Sequence, residues 1–85
     1  MESDLNWDAL CGFLVKELCN PEASVHLARL AGIIEAAFRY GAVQALTLAR
    51  QWLANANLAL PQPSPKAALV ASNLMDLAIS QLVAG

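Results

Sequence analysis

The chain has 85 residues, 58% of them hydrophobic and 14% charged, with a net charge of -2 and an isoelectric point near 5.0. That length limits it to one domain over residues 1–85, and five basic residues against seven acids are too few to bind a phosphate backbone by charge neutralisation, which argues against a nucleic-acid partner. A domain of this size buries only about 60% of the surface its unfolded chain exposes, so part of the apolar surface is expected to face a partner.

The apolar spacing is helical nearly throughout. A first helix is predicted over residues 4–19, where Trp7, Leu10, Cys11, Leu14 and Leu18 recur on one face and Ser3 or Asn6 can cap the start. Phe13 and Val15 widen that face beyond what one neighbouring helix would cover. Trp7 and Phe13 lie about 120° apart on the helical wheel, so one of the two is expected to be an interface anchor rather than core. Buried aromatic residues are enriched in such roles.

Asn20-Pro21-Glu22 supplies a capping oxygen, a proline suited to the first helical position and an acid for the positive end of the dipole. A second helix is therefore predicted over residues 21–40, with Leu27, Leu30, Ala31, Ile34 and Phe38 inward. Glu35 and Arg39 are spaced for an i, i+4 ion pair on its solvated side. Gly41 ends it, because glycine tolerates the backbone of a C-terminal cap. A third helix follows over residues 42–56, with Leu46, Ala49, Trp52, Leu53 and Ala56 inward and Gln44, Gln51 and Asn55 outward. Together the two make a helical hairpin.

Three of the four prolines fall between Asn57 and Pro65, which makes this stretch a stiff connector with Leu58 and Leu60 as anchors onto the body. Ser64-Pro65 repeats the cap-plus-proline signal. A last helix is predicted over residues 65–84, with Val70, Ala71, Leu74, Leu77, Ala78 and Leu82 inward and Ser72, Asn73, Asp76 and Ser80 outward. Asp76 near its centre speaks against a membrane span. Gly12 and Gly32 lie inside helices, where each fits either a close backbone approach or an open site.

Six of the seven acids (Glu2, Asp4, Asp8, Glu17, Glu22, Glu35) precede residue 36, whereas Arg39, Arg50 and Lys66 stand in a stretch without acids. This asymmetry either keeps solvated faces soluble or orients one subunit against another. The acidic start Met1-Glu2-Ser3-Asp4 is unlike that of a secretory signal. Cys11 and Cys19, eight residues apart on one helix, stand about 12 Å apart, too far for a disulfide with each other, so they are expected to be free thiols or to pair between chains. Free thiols in a small domain held by packing point to a reducing cytoplasm.

Candidates for chemistry are few. His26 is the single histidine and, one turn from Glu22, could form an acid–base pair or simply sit at a helix start. Cys11, Cys19 and His26 lack the paired spacing of a metal site, and the glycines form no phosphate loop. No catalytic residue, cofactor or metal is expected.

The expectation is an all-α, small four-helix bundle built from helical hairpins, with the proline-rich connector before the last helix. The expected function is non-catalytic protein–protein association, as an adaptor, inhibitor or chaperone-like protein, in a homodimer or with a partner chain. The partner-binding face is expected to combine Trp7, Phe13, Leu14 and Val15 of the first helix with Leu69, Met75, Ile79 and Val83 of the last. The alternatives are a carrier of a small hydrophobic ligand in the bundle core and, behind it, a small enzyme or metal protein using His26.

Overall fold

The second helix of the bundle carries its longest buried run, Leu30-Ala31-Gly32-Ile33-Ile34-Glu35-Ala36-Ala37, with no exposed residue in it. A helix of that kind has to be enclosed rather than laid on a surface. The computed structural model, which describes residues 2–18, 27–55 and 57–84, has four helices, α1 (Glu2–Leu18), α2 (Leu27–Tyr40), α3 (Ala42–Ala54) and α4 (Pro65–Ala84), and α2 is enclosed by α3, α4 and the connector. Helices α1 and α2 each pack on both α3 and α4, so α3 and α4 stand across the bundle from each other. The protein is a small all-α bundle, with no strand among the described residues. The expected helix start at Asn20-Pro21 lies outside the described residues.

Gly41 is the one-residue joint between α2 and α3. Its N–H donates to Ala37 O at 3.0 Å and its own carbonyl accepts the Ala45 N–H at 3.1 Å, so one residue closes one helix and opens the next. Its φ of 96° and ψ of 159° belong to backbone that only glycine adopts readily. Helix α3 stops where the Asn55 N–H turns back to Gln51 O and Trp52 O.

The core is unusually fine-grained. Half of its buried apolar residues are alanines, among them Ala45 and Ala49 of α3 and Ala67, Ala71 and Ala78 of α4, filled in by Leu10, Leu14, Leu30, Ile33, Ile34 and Trp52. Short side chains let helix axes approach closely at the cost of less apolar area per residue.

The connector is fastened along α2. Leu58 and Leu60 pack against the core, the Leu58 carbonyl accepts an N–H of Arg29 at 3.1 Å, and Leu60 lies directly over Gly32. A Cβ at residue 32 would stand 2.9 Å from Leu60 Cβ and 3.2 Å from Pro61 O. Gly32 is thus a close-approach glycine. Gly12, in contrast, has nothing within 4 Å of where a Cβ would be.

Glu35 corrects the sequence reading. It does face Arg39, whose Nε donates to Glu35 Oε2 at 2.8 Å, but the carboxylate is buried rather than solvated. Its other oxygen, Oε1, accepts the Ser64 N–H at 2.9 Å, while Ser64 Oγ accepts the Ala67 N–H at 3.2 Å as the cap of α4. The Ser64 hydroxyl first, then the Ser64 N–H and Arg39, hold the Glu35 carboxyl at about 2, well below its ordinary 4.5.

Two predictions follow from these contacts. Gly32→Ala should destabilise the fold by about 1–3 kcal/mol, because connector backbone has to move, whereas Gly12→Ala should stabilise it by about 0.5–1 kcal/mol; urea unfolding of both variants checks the contrast, and equal effects would contradict it. A carboxyl held below its unfolded value lends stability that is complete above about pH 4.5 and is lost as pH falls through about 2. Denaturation midpoints measured from pH 6 down to pH 2 should therefore drop across that window, and Glu35→Gln should start lower at pH 6 and drop less.

Candidate interaction surface

Helix α1 wedges between α3 and α4, so it buries a wider arc than one contact would require. Phe13 and Val15 lie about 100° to either side of the fully buried Leu14, one toward each neighbour. Arg50 of α3 lies over the Phe13 ring at 5.8 Å; Val15 joins Leu77 of α4 in the wall of a surface groove. This corrects the expected partner face: Leu14 and Val15 are core, and Phe13 is half-buried against it. Trp7 is also half-buried, its ring stacked on Phe38 at 5.8 Å and 15°. Both aromatics pack on one core, which the 120° argument did not allow because it assumed a single inward direction.

Phe38 was expected inside and is partly exposed. Its ring nevertheless makes two contacts, stacking on Trp7 and carrying the ammonium of Lys66 5.0 Å from its centre. Leu27, Leu53 and Leu77, also expected inward, are exposed.

Helix α4 retains the rest of the expected face. Leu69 is 62% exposed, Ile79 51% and Val83 84%, while Met75 is half-buried. The structure therefore separates the eight residues proposed from sequence: those of α1 belong to the interior or its margin, and those of α4 point mostly to solvent. Exposed Val43 and Leu53 on α3 were not proposed. Their helix reads as amphipathic in one direction, and nothing in its spacing marks a second apolar edge.

Among the described residues, clefts open at the surface on two sides. One, of about 370 Å³, lies between α1 and α4 and is lined by Cys11, Gly12, Val15, Lys16, Leu77 and Gln81. The other, of about 480 Å³, follows the connector beside Ala28 and Arg29. The Cys11 thiol is free, and its pKa is raised by burial and then by Asp8, so it stays protonated at neutral pH and is a poor nucleophile. No group of three or more His, Cys, Asp or Glu able to hold a metal ion occurs among the described residues. His26, Glu22 and Cys19 lie outside those residues. Among the described residues no helix is long and apolar enough to cross a membrane.

Comparison of the chain with known protein families, curated proteins and solved structures gave no match.

Because Trp7 supports the core, Trp7→Asp should cost about 2 kcal/mol or more of stability, whereas Ile79→Asp on the exposed face of α4 should change it by no more than about 0.5 kcal/mol. Thermal melts followed by circular dichroism separate the two; equal melting temperatures would place Trp7 outside the packed interior.

Proposed function

We propose that the protein is a non-catalytic protein–protein interaction module of the adaptor, inhibitor or chaperone-like kind, acting in the cytoplasm through exposed apolar residues of α4 with a second copy or a partner chain. The observation that carries this reading is the orientation of α4. Its fully inward positions are mainly small, Ala67, Ala71 and Ala78 beside Leu74, with Val70 and Met75 half-buried, while Leu69, Leu77, Ile79 and Val83 are exposed. Fully burying a Val, Leu or Ile side chain stabilises by about 1.5–3 kcal/mol, and these four, 49–84% exposed, each forgo a corresponding share of that. A helix that packs through small residues and turns several larger ones outward leaves apolar surface for whatever covers it.

The free Cys11 thiol supports a reducing compartment. The carrier reading has less support, since the buried side chains form one continuous cluster and both clefts are open to solvent.

The test is the protein purified from its native host in reducing buffer, with mass determined by light scattering and co-purifying chains identified. The parent should form a complex heavier than its own 9.0 kDa. Leu69→Asp/Ile79→Asp/Val83→Asp should run as a single chain with unchanged helicity. The proposal fails if the triple variant keeps the mass and the companions of the parent.

A further inference from the structure

Helices α3 and α4 occupy opposite corners of the bundle and each packs on α1 and α2, so each keeps an outward face. The two outward faces carry the same spacing. On α3, Val43 is followed after seven residues by Arg50 and after three more by Leu53; on α4, Leu69 is followed after seven by Asp76 and after three more by Ile79. All six side chains are exposed, Val43 at 55% and Leu53 at 44%. In a helix this spacing sets each trio within an arc of about 80° along about 15 Å of axis. The trios differ in the sign of the central charge.

We infer that α3 of one copy docks alongside α4 of a second copy, in parallel, pairing Val43 with Leu69, Arg50 with Asp76 and Leu53 with Ile79. This inference rests on the interaction-module reading and names the partner as the chain itself. The spacing is that of a and d positions in a heptad, and the intervening d position sets half-buried Leu46 opposite the small Ser72. Charge selects this pairing over its rivals. Packing α4 on α4 in either direction centred there brings Asp76 against Asp76, and α3 on α3 brings Arg50 against Arg50; like charges facing each other oppose association. Direction is selected by the apolar residues, since an antiparallel α3–α4 pair that kept Arg50 on Asp76 would match Val43 with Val83 but set Leu53 against Asn73, one apolar pair where the parallel register has two.

Arg50 is held for this role. Its guanidinium rests over Phe13 at 5.8 Å, and a stacked guanidinium still offers its edge to a carboxylate. Because α3 and α4 lie across the bundle, each copy presents one face on either side, and the contact is head-to-tail. Such contacts build rings or open chains rather than two-fold dimers. One helix pair is smaller than the roughly 800 Å² per partner of a standard interface, so assembly should grow with concentration.

Sedimentation velocity over a range of concentrations, in low and high salt, tests the inference on the full chain. The parent should shift from single chains to larger species, less so at high salt. Arg50→Asp and Asp76→Arg should each raise the concentration needed for association about tenfold or more, with helicity unchanged. An equimolar mixture of the two should associate again, because the unaltered α3 of one meets the unaltered α4 of the other, and Arg50→Asp/Asp76→Arg in one chain should recover as well. Leu53→Asp, which leaves the contact between Arg50 and Phe13 in place, should weaken association alongside them. A parent that stays a single chain at every concentration, single variants that associate like the parent, or a mixture that stays dissociated would overturn the inference. Should the parent be a single chain alone yet hold a co-purifying protein that Leu69→Asp/Ile79→Asp/Val83→Asp releases, self-docking is wrong and the interaction-module reading stands.

Discussion

The Glu35 carboxylate accepts the Ser64 N–H with one oxygen and the Arg39 guanidinium with the other, and it does so from within the most enclosed stretch of α2. An ionised carboxylate can be buried there only if its lone pairs are taken up, and the groups that take them up are the cap of α4 and the last turn of α2. The position at which α4 begins is thereby tied to a fixed point on α2. Four residues earlier, the close seat of Leu60 on Gly32 sets the path by which the chain reaches that point. The connector is in this sense a strap along α2 rather than a spacer. Its prolines keep it extended while Leu58 and Leu60 hold it down.

Much of this architecture was legible in the sequence, and what was legible was local. Gly41 and Ser64-Pro65 announce a helix end and a helix start through backbone chemistry that needs no neighbours, and the structure places α2, α3 and α4 boundaries at them. Inward and outward assignments succeeded at the middle of a buried face, as for Ala49 and Trp52 against Gln44 and Gln51. They failed at its margins, where Leu53 of α3 is exposed and Val15 of α1 is core. Leu14 and Val15 were placed on a partner face because the wheel of α1 looked too broad for one contact; α1 has two contacts, and the breadth is used up inside.

Glu35 shows a different limit. Its spacing to Arg39 gave the ion pair correctly and its burial wrongly, since the residue that closes over it is 29 positions away in the chain. No periodicity carries that information. The exposed edge of α3 was missed for a related reason: Val43 and Leu53 are unremarkable on their own helix, and their spacing acquires meaning only beside Leu69 and Ile79 on another.

The apolar composition also reads differently once its placement is known. Seventeen of the residues are alanine, and eight of these sit in the core, so a high hydrophobic fraction overstates the amount of large apolar surface that needs a home. What remains exposed is concentrated in bulkier side chains, with α4 holding four of them. Alanine on the inner face draws α4 close to the bundle by dispersion contacts, and leucine, isoleucine and valine on the outer face add nothing to that attraction. Total stability of a small domain is about 5–15 kcal/mol, so several outward side chains, each forgoing part of the about 1.5–3 kcal/mol of full burial, leave an appreciable fraction of that quantity unused by the isolated chain. Covering them would strengthen the folded state through linkage, and the surface best suited to cover them is one that is apolar at the same spacing and opposite in charge at its centre.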